Sequence, residues 1–175
     1  MKSLIILILL IPVFSTAQVG AKTPADWNTY KTNNYRVAYP ADWVIDTSKA
    51  MGIDVFLFSP LESTTDKFRE NVNVLSSSFG GEDISLDSFF HVSERQIKMS
   101  ATDCVVLESK LYSRGNSNFY KIDFTAKQGI FQLRFVQYYF VKNGSGFTIT
   151  LSCEETAYSK YEATALAVMN SFVLN

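Results

Sequence analysis

Ile130-Phe131-Gln132-Leu133-Arg134-Phe135-Val136-Gln137-Tyr138-Tyr139-Phe140-Val141-Lys142 is the segment that decides the fold. Its β-branched and aromatic residues favour an extended chain. Successive side chains of a strand point to opposite faces, so Phe131, Leu133 and Phe135 lie on one side and Val136, Tyr138 and Phe140 on the other. Both sides are apolar. A sheet with one face in water alternates apolar with polar residues instead. Each side of this strand therefore needs a cover, and helices on both faces supply it.

The neighbouring segments fit that layout. Asn143-Gly144-Ser145-Gly146 has the residues that tight hairpins require, and Phe147–Cys153 reads as the next strand. On the other side Val105–Tyr112 and Phe119–Ala126 read as strands separated by a turn at Arg114-Gly115-Asn116-Ser117-Asn118, with Lys127-Gln128-Gly129 turning into the aromatic strand. These four strands form a meander. A helix precedes them: Ser85 is its N-cap, Asp87 suits its first turn, Leu86, Phe89, Phe90 and Ile97 recur on one side, and it ends near Ser100. A second helix follows over Tyr158–Phe172, with Tyr161, Ala165, Val168 and Phe172 as its buried stripe and Ser159 to Glu162 as a capping box.

Earlier in the chain, Tyr35-Arg36-Val37-Ala38-Tyr39-Pro40-Ala41-Asp42-Trp43 reads as a short strand, a turn at Pro40 and a Trp that opens the next strand. Asp54–Ser59 and Asn71–Phe79 are two more strands, the second ended by Gly80-Gly81. The expected fold is α+β: a mostly antiparallel sheet of about seven to eight strands flanked by helices on both faces, an α/β/α sandwich.

Residues 1–17 read as a secretory signal peptide. Lys2 supplies the positive start, Leu4 to Phe14 the apolar run, and Ser15-Thr16-Ala17 the small residues of a cleavage site before Gln18. The run is about 11 residues, whereas a membrane-spanning helix needs roughly 20. No Cys lies near the site, so a lipid anchor is not expected. Residues 18–26 then form a linker and residues 27–175 a single domain. A secreted or periplasmic location follows. The formal net charge of −1 gives no electrostatic case for nucleic acid or for an anionic membrane.

An exported chain with two cysteines can form one disulfide. Cys153 alternates with Phe147, Ile149 and Leu151 and so faces the core, while Cys104 alternates with Val106, Glu108 and Lys110. In regular strands the two would point to different sides, which favours two separate thiols over a Cys104–Cys153 bridge.

No catalytic or metal-binding constellation emerges. His91 is the one histidine, with only Asp87 at helical spacing, whereas a zinc site needs three or four ligands. Ser76, Ser77, Ser78 and Ser88 lack the Gly-x-Ser-x-Gly frame of a nucleophile elbow. Gly80-Gly81-Glu82-Asp83 precedes a helix, but its two acids repel phosphate. Neither a metal nor another cofactor is expected. The remaining signal is the early aromatic cluster of Trp27, Tyr30, Tyr35 and Tyr39, which either borders the core or lines a ligand or partner surface.

The ordered set Tyr35 to Pro40 with Trp43, the Asp54–Pro60 strand, Asn71-Val72-Asn73-Val74, Ser85-Leu86-Asp87 and the closing Tyr161 to Phe172 resembles the PsbP-like superfamily, which includes the bacterial DcrB-like proteins. The resemblance implies an antiparallel sheet flanked by helices and a mostly non-enzymatic role as an assembly subunit or protein-binding module. These residues are structural, so no binding residue and no photosystem role carries over. The expectation is an exported accessory protein that binds or stabilises another envelope macromolecule. The alternatives are a carrier of a small apolar or aromatic ligand in a groove near the N-terminal aromatic flap and, last, a hydrolase assembled around His91.

Overall fold

A computed structural model describes residues 24–175. The signal peptide and most of the linker expected from the sequence lie outside these residues. The chain runs through β1 (Asn28–Lys31), β2 (Tyr35–Tyr39), β3 (Val44–Asp46), a 3-10 turn at Ala50–Gly52, β4 (Val55–Phe58) and β5 (Asn71–Ser78). Then come α1 (Leu86–Ser100), β6 (Thr102–Arg114), β7 (Ser117–Gln128), β8 (Phe131–Lys142), β9 (Ser145–Glu154), α2 (Tyr158–Ser171) and β10 (Val173–Leu174). Seven strands form one antiparallel sheet in the order β3-β4-β5-β9-β8-β7-β6, and β1, β2 and β10 form a second sheet of three. No helix among the described residues is long and apolar enough to cross a membrane.

The meander β6 to β9 is joined by tight turns. Asn143 and Gly144 both take positive φ, as a type I′ hairpin turn requires, and Gly115 takes it alone at the head of its two-residue turn. Arg114 and Ser117 are therefore already paired strand residues, and the five-residue turn expected there shrinks to two. Ser85 caps α1 as expected, its hydroxyl accepting from the Ser88 N–H at 3.1 Å. The capping box expected at Ser159 does not form. The residue before α2 is Ala157, which offers no side-chain cap, and Ser159 already lies inside the helix.

Two apolar clusters hold the layers together. On one side of the large sheet Val72, Val74, Val136, Tyr138, Ile149 and Leu151 pack with Ala165, Val168 and Met169 of α2 and with Tyr35 and Val37 of β2. Phe172 ties this cluster together, its ring centroid 5.2 Å from those of Tyr35 and Phe140. A fully buried side chain of this size contributes about 1.5–3 kcal/mol. The second cluster joins Phe90 of α1 to Ile122, Phe124, Ala126 and Tyr139. Tyr138 and Tyr139 are neighbours on β8 and go to different clusters, as the reading of that strand predicts.

The cover differs from the expected sandwich in two ways. Tyr35–Tyr39 does not join the main sheet. It pairs with β1 and β10 in the small sheet, which lies with α2 over the first cluster. Neither β1 nor β10 was expected as a strand. Helix α1, in turn, packs mainly on β8 and β7, touching β6 through Glu94 and Ser109 and β9 where Phe89 meets Gly146, so it leaves part of its own face open. The regular alternation expected for β6 also fails. Register shifts at Thr102 to Val105 and at Val106 to Glu108 interrupt it. Cys104 and Val106 pack in the α1 cluster, while Glu108 joins Lys121 and Asp123 in a charged group that reaches Arg134.

Candidate functional site

The open part of the α1 face is a groove of about 840 Å³. Its floor comes from the centre of the large sheet. Asn73 on β5 stands opposite Thr150 on β9, which stands opposite Gln137 on β8, so three polar residues make a straight row across three strands. Thr148 and Tyr139 form the next row. Asn73, Thr148 and Thr150 are each more than nine-tenths buried. Phe89, Ser93, Gln96 and Ile97 of α1 make one wall, with Phe124, Ala126 and Phe135 beneath it. Gly146 closes the Phe89 end. A side chain there would meet the Phe89 ring at 2.6 Å and the Phe79 ring at 2.9 Å, so glycine is what lets α1 sit this close to β9.

Hydrogen bonds tie the floor together. The Tyr139 hydroxyl donates to Gln137 Oε1, and Gln137 Nε2 donates to Thr150 Oγ1 at 3.3 Å. Asn73 Nδ2 donates to Asn71 Oδ1 at 3.1 Å. Burial pushes the Tyr139 hydroxyl above its ordinary pKa, so it stays a neutral donor. Lys127 is the only charged residue among those lining the groove. Apart from Lys127 the chemistry on offer is neutral: amide and hydroxyl donors and acceptors against an aromatic wall, with no carboxylate, thiol or imidazole among the described lining residues. A few convergent polar groups beside apolar walls are the usual lining of ligand sites.

The residues singled out from the sequence do not share one surface. Tyr35 and Tyr39 are buried, Tyr35 within the α2 cluster. Tyr30 packs against Tyr35 at 6.2 Å between ring centroids. Trp27 lines a hollow of about 560 Å³ with Pro40, Trp43, Pro60, Lys160 and Tyr161. The Pro40 corner is closed by a backbone bond, the Trp43 N–H donating to the Pro40 carbonyl at 3.1 Å, and Trp43 is buried.

Cys104 and Cys153 are free thiols in different clusters. Burial, reinforced by the nearby Glu70 carboxylate, pushes the Cys153 thiol up to about 12 and leaves it a poor nucleophile. His91 is more than half exposed on α1, 3.8 Å from Asp87 and 3.6 Å from Glu94. Among the described residues no group of three or more His, Cys, Asp or Glu side chains is placed to hold a metal ion.

The polar row was the feature missed. Its signal is present in the sequence: Asn73 sits between Val72 and Val74, and Thr148 and Thr150 flank Ile149, so the central strands have one apolar and one polar side. Gly146, which the sequence assigns to the Asn143–Gly146 turn, lies inside β9.

No curated protein matches the chain. Several solved structures share its fold. The solution structure of cyanobacterial PsbP (CyanoP) from Synechocystis sp. PCC 6803 superposes with a TM-score of 0.67 at 19% identity, covering 94% of this chain and 99% of that one. LpqN of Mycobacterium tuberculosis, described as involved in cell envelope biogenesis, gives 0.61 at 10% identity over 81% of this chain and 83% of its own. PA94 of Pseudomonas aeruginosa, a protein of unknown function, gives 0.60 at 10% identity over 84% of this chain and 96% of its own. The family model for PsbP matches residues 25–174, and the chain belongs to the PsbP family.

Proposed function

We propose that this chain is a non-enzymatic accessory protein of the cell envelope that holds another envelope macromolecule in the groove beside α1. Membership of the PsbP family supports a binding role, and the signal-like segment at residues 1–17 supports export. The fold shared with LpqN agrees with an envelope setting. The observation that carries the reading is the row Asn73, Thr150 and Gln137. Buried hydrogen-bonding groups at the centre of a sheet cost stability that an apolar floor would not, and the groove above them stays open.

Crosslinking in intact cells tests this. A photo-crosslinking side chain at Gln96, on the groove wall, is expected to capture one defined protein. The same group at exposed Val44, on the far edge strand β3, is the control. Equal, scattered labelling from both positions would end the reading.

A second reading is favoured by the groove's volume, which falls within the roughly 300–1,000 Å³ of small-molecule sites. A carrier would hold its ligand here and not beneath the N-terminal aromatics, where Tyr35 and Tyr39 are buried. Native mass spectrometry of freshly purified protein separates the two: a bound mass lost in a Gln137→Leu, Thr150→Val variant marks a carrier, and an apo mass excludes one.

A further inference from the structure

We propose that the free edge of β6 pairs antiparallel with the same edge of a second copy of this chain, about a two-fold axis at Leu111. The two edges of the large sheet are unlike. One ends in β3, three residues long, a length that discourages pairing. The other ends in β6, thirteen residues long, and among the described residues no strand lies beyond it in the sheet. Its outer stretch exposes Val105, Leu107 and Leu111 to about half of their surface. A long open strand carrying apolar side chains is a template for strand addition.

The register follows from the hairpin. Only two residues separate Arg114 from Ser117, so these two form the hydrogen-bonded closing pair. Counting back, Tyr112, Lys110 and Glu108 also bond to β7, and Ser113, Leu111 and Ser109 turn their main-chain groups outward. The pairing with β7 is unbroken from Glu108 to Arg114 and interrupted before Glu108. The regular, outward-bonding stretch is thus centred on Leu111.

Self-pairing about that residue is chemically matched. Leu111 meets Leu111 of the second copy, flanked by Ser109 against Ser113, small enough to admit the leucines. On the other face Glu108 meets Arg114 and Lys110 meets the Tyr112 ring, both favourable cross-strand pairs. Arg114 gives one nitrogen each to the Asn170 and Phe172 carbonyls and keeps further donors for a carboxylate. An axis at Ser109 would instead carry the pairing through the irregular step between Val106 and Glu108. The contact is isologous, so it closes at a dimer.

A cysteine scan tests the register. Hydrogen-bonded residues of an antiparallel pair have Cα atoms about 5.5 Å apart, within the span of a disulfide. Leu111→Cys is expected to form a covalent dimer on mild oxidation, well above the level of the wild type with its own Cys104 and Cys153. Ser109→Cys should do so only when Ser113→Cys is added. Sedimentation supplies the second measurement. The wild type should be dimeric at about 100 μM and monomeric at about 1 μM, as suits a small interface. Leu111→Lys, which sets two lysines face to face, should be monomeric at both with an unchanged melting temperature. A wild type that stays monomeric throughout, a folded Leu111→Cys protein no more crosslinked than wild type, or preferential crosslinking of Ser109→Cys alone would overturn the proposal.

Discussion

Ile149 and Thr150 are neighbours on β9, both more than nine-tenths buried, and they look into opposite worlds. Ile149 sits beneath α2 and the small sheet, among Val72, Val74, Val136 and Leu151, with no exposed surface. Thr150 sits on the floor of a groove between Asn73 and Gln137. The strands are the same and the backbone is the same. What differs is the cover: one face carries a helix and a sheet, the other a helix that packs mainly on β7 and β8. A sheet face is apolar where it is covered and can afford hydrogen-bonding groups where it is not.

The sharpest way to break this contrast is Phe172→Ala. Phe172 joins the small sheet to the covered face, and its loss should cost about 3–5 kcal/mol in chemical denaturation. A loss under about 1 kcal/mol would mean that the small sheet is not part of the same core. Ile149→Thr comes next. It places a hydroxyl in the dry layer and should cost roughly 2–4 kcal/mol.

Glu70 tests the same dry side by pH. Its carboxyl is buried, with Oε1 4.0 Å from the Cys153 sulfur, and burial raises its pKa above the ordinary carboxylate range. The folded chain therefore holds this proton more tightly than the unfolded chain. The stability it contributes is complete below the unfolded value of about 4.3 and is lost as pH rises through the raised one. Glu70→Gln should remove that loss, so its melting temperature gains on the wild type between pH 4 and pH 7. Parallel curves for the two proteins would show that the carboxyl is solvated after all.

The smallest effect on stability is expected at the groove. Thr150→Val keeps the shape, removes one hydroxyl and should change stability by less than about 1 kcal/mol. Paired with Ile149→Thr it is the cleanest comparison, since adjacent residues exchange character. If Thr150→Val were as costly as Ile149→Thr, the polar row would be a structural device and the binding reading would lose its main support.

Much of this contrast can be traced in the strand patterns. Tyr138 and Tyr139 could be assigned to opposite faces from alternation alone, and the Ser85 cap and the end of α1 at Ser100 follow from local chemistry. The groove was not legible in the same way. Asn73, Thr148 and Thr150 alternate with Val and Ile as they would on a strand with one wet face, and nothing local distinguishes open solvent from a walled groove. The early aromatics admitted two readings, core border or binding surface, for the converse reason. Tyr35 and Tyr39 have the composition of a binding surface, and only their position beneath other layers turns them into core.

Local rules were enough for the strands from Val55 onward, the hairpin at Asn143-Gly144, both helices and the alternation of β8. Each depends on steric and hydrogen-bonding preferences that span a few residues. The separate sheet of β1, β2 and β10, the interrupted register of β6, the missing cap of α2 and the half-open α1 face depended on the folded chain. Strand pairing joins residues far apart in sequence: Leu174 pairs with Tyr35, and Val173 with Arg36. Cover is likewise a property of what packs on top, and a strand's own residues specify which face is apolar without specifying how much of the other will be closed.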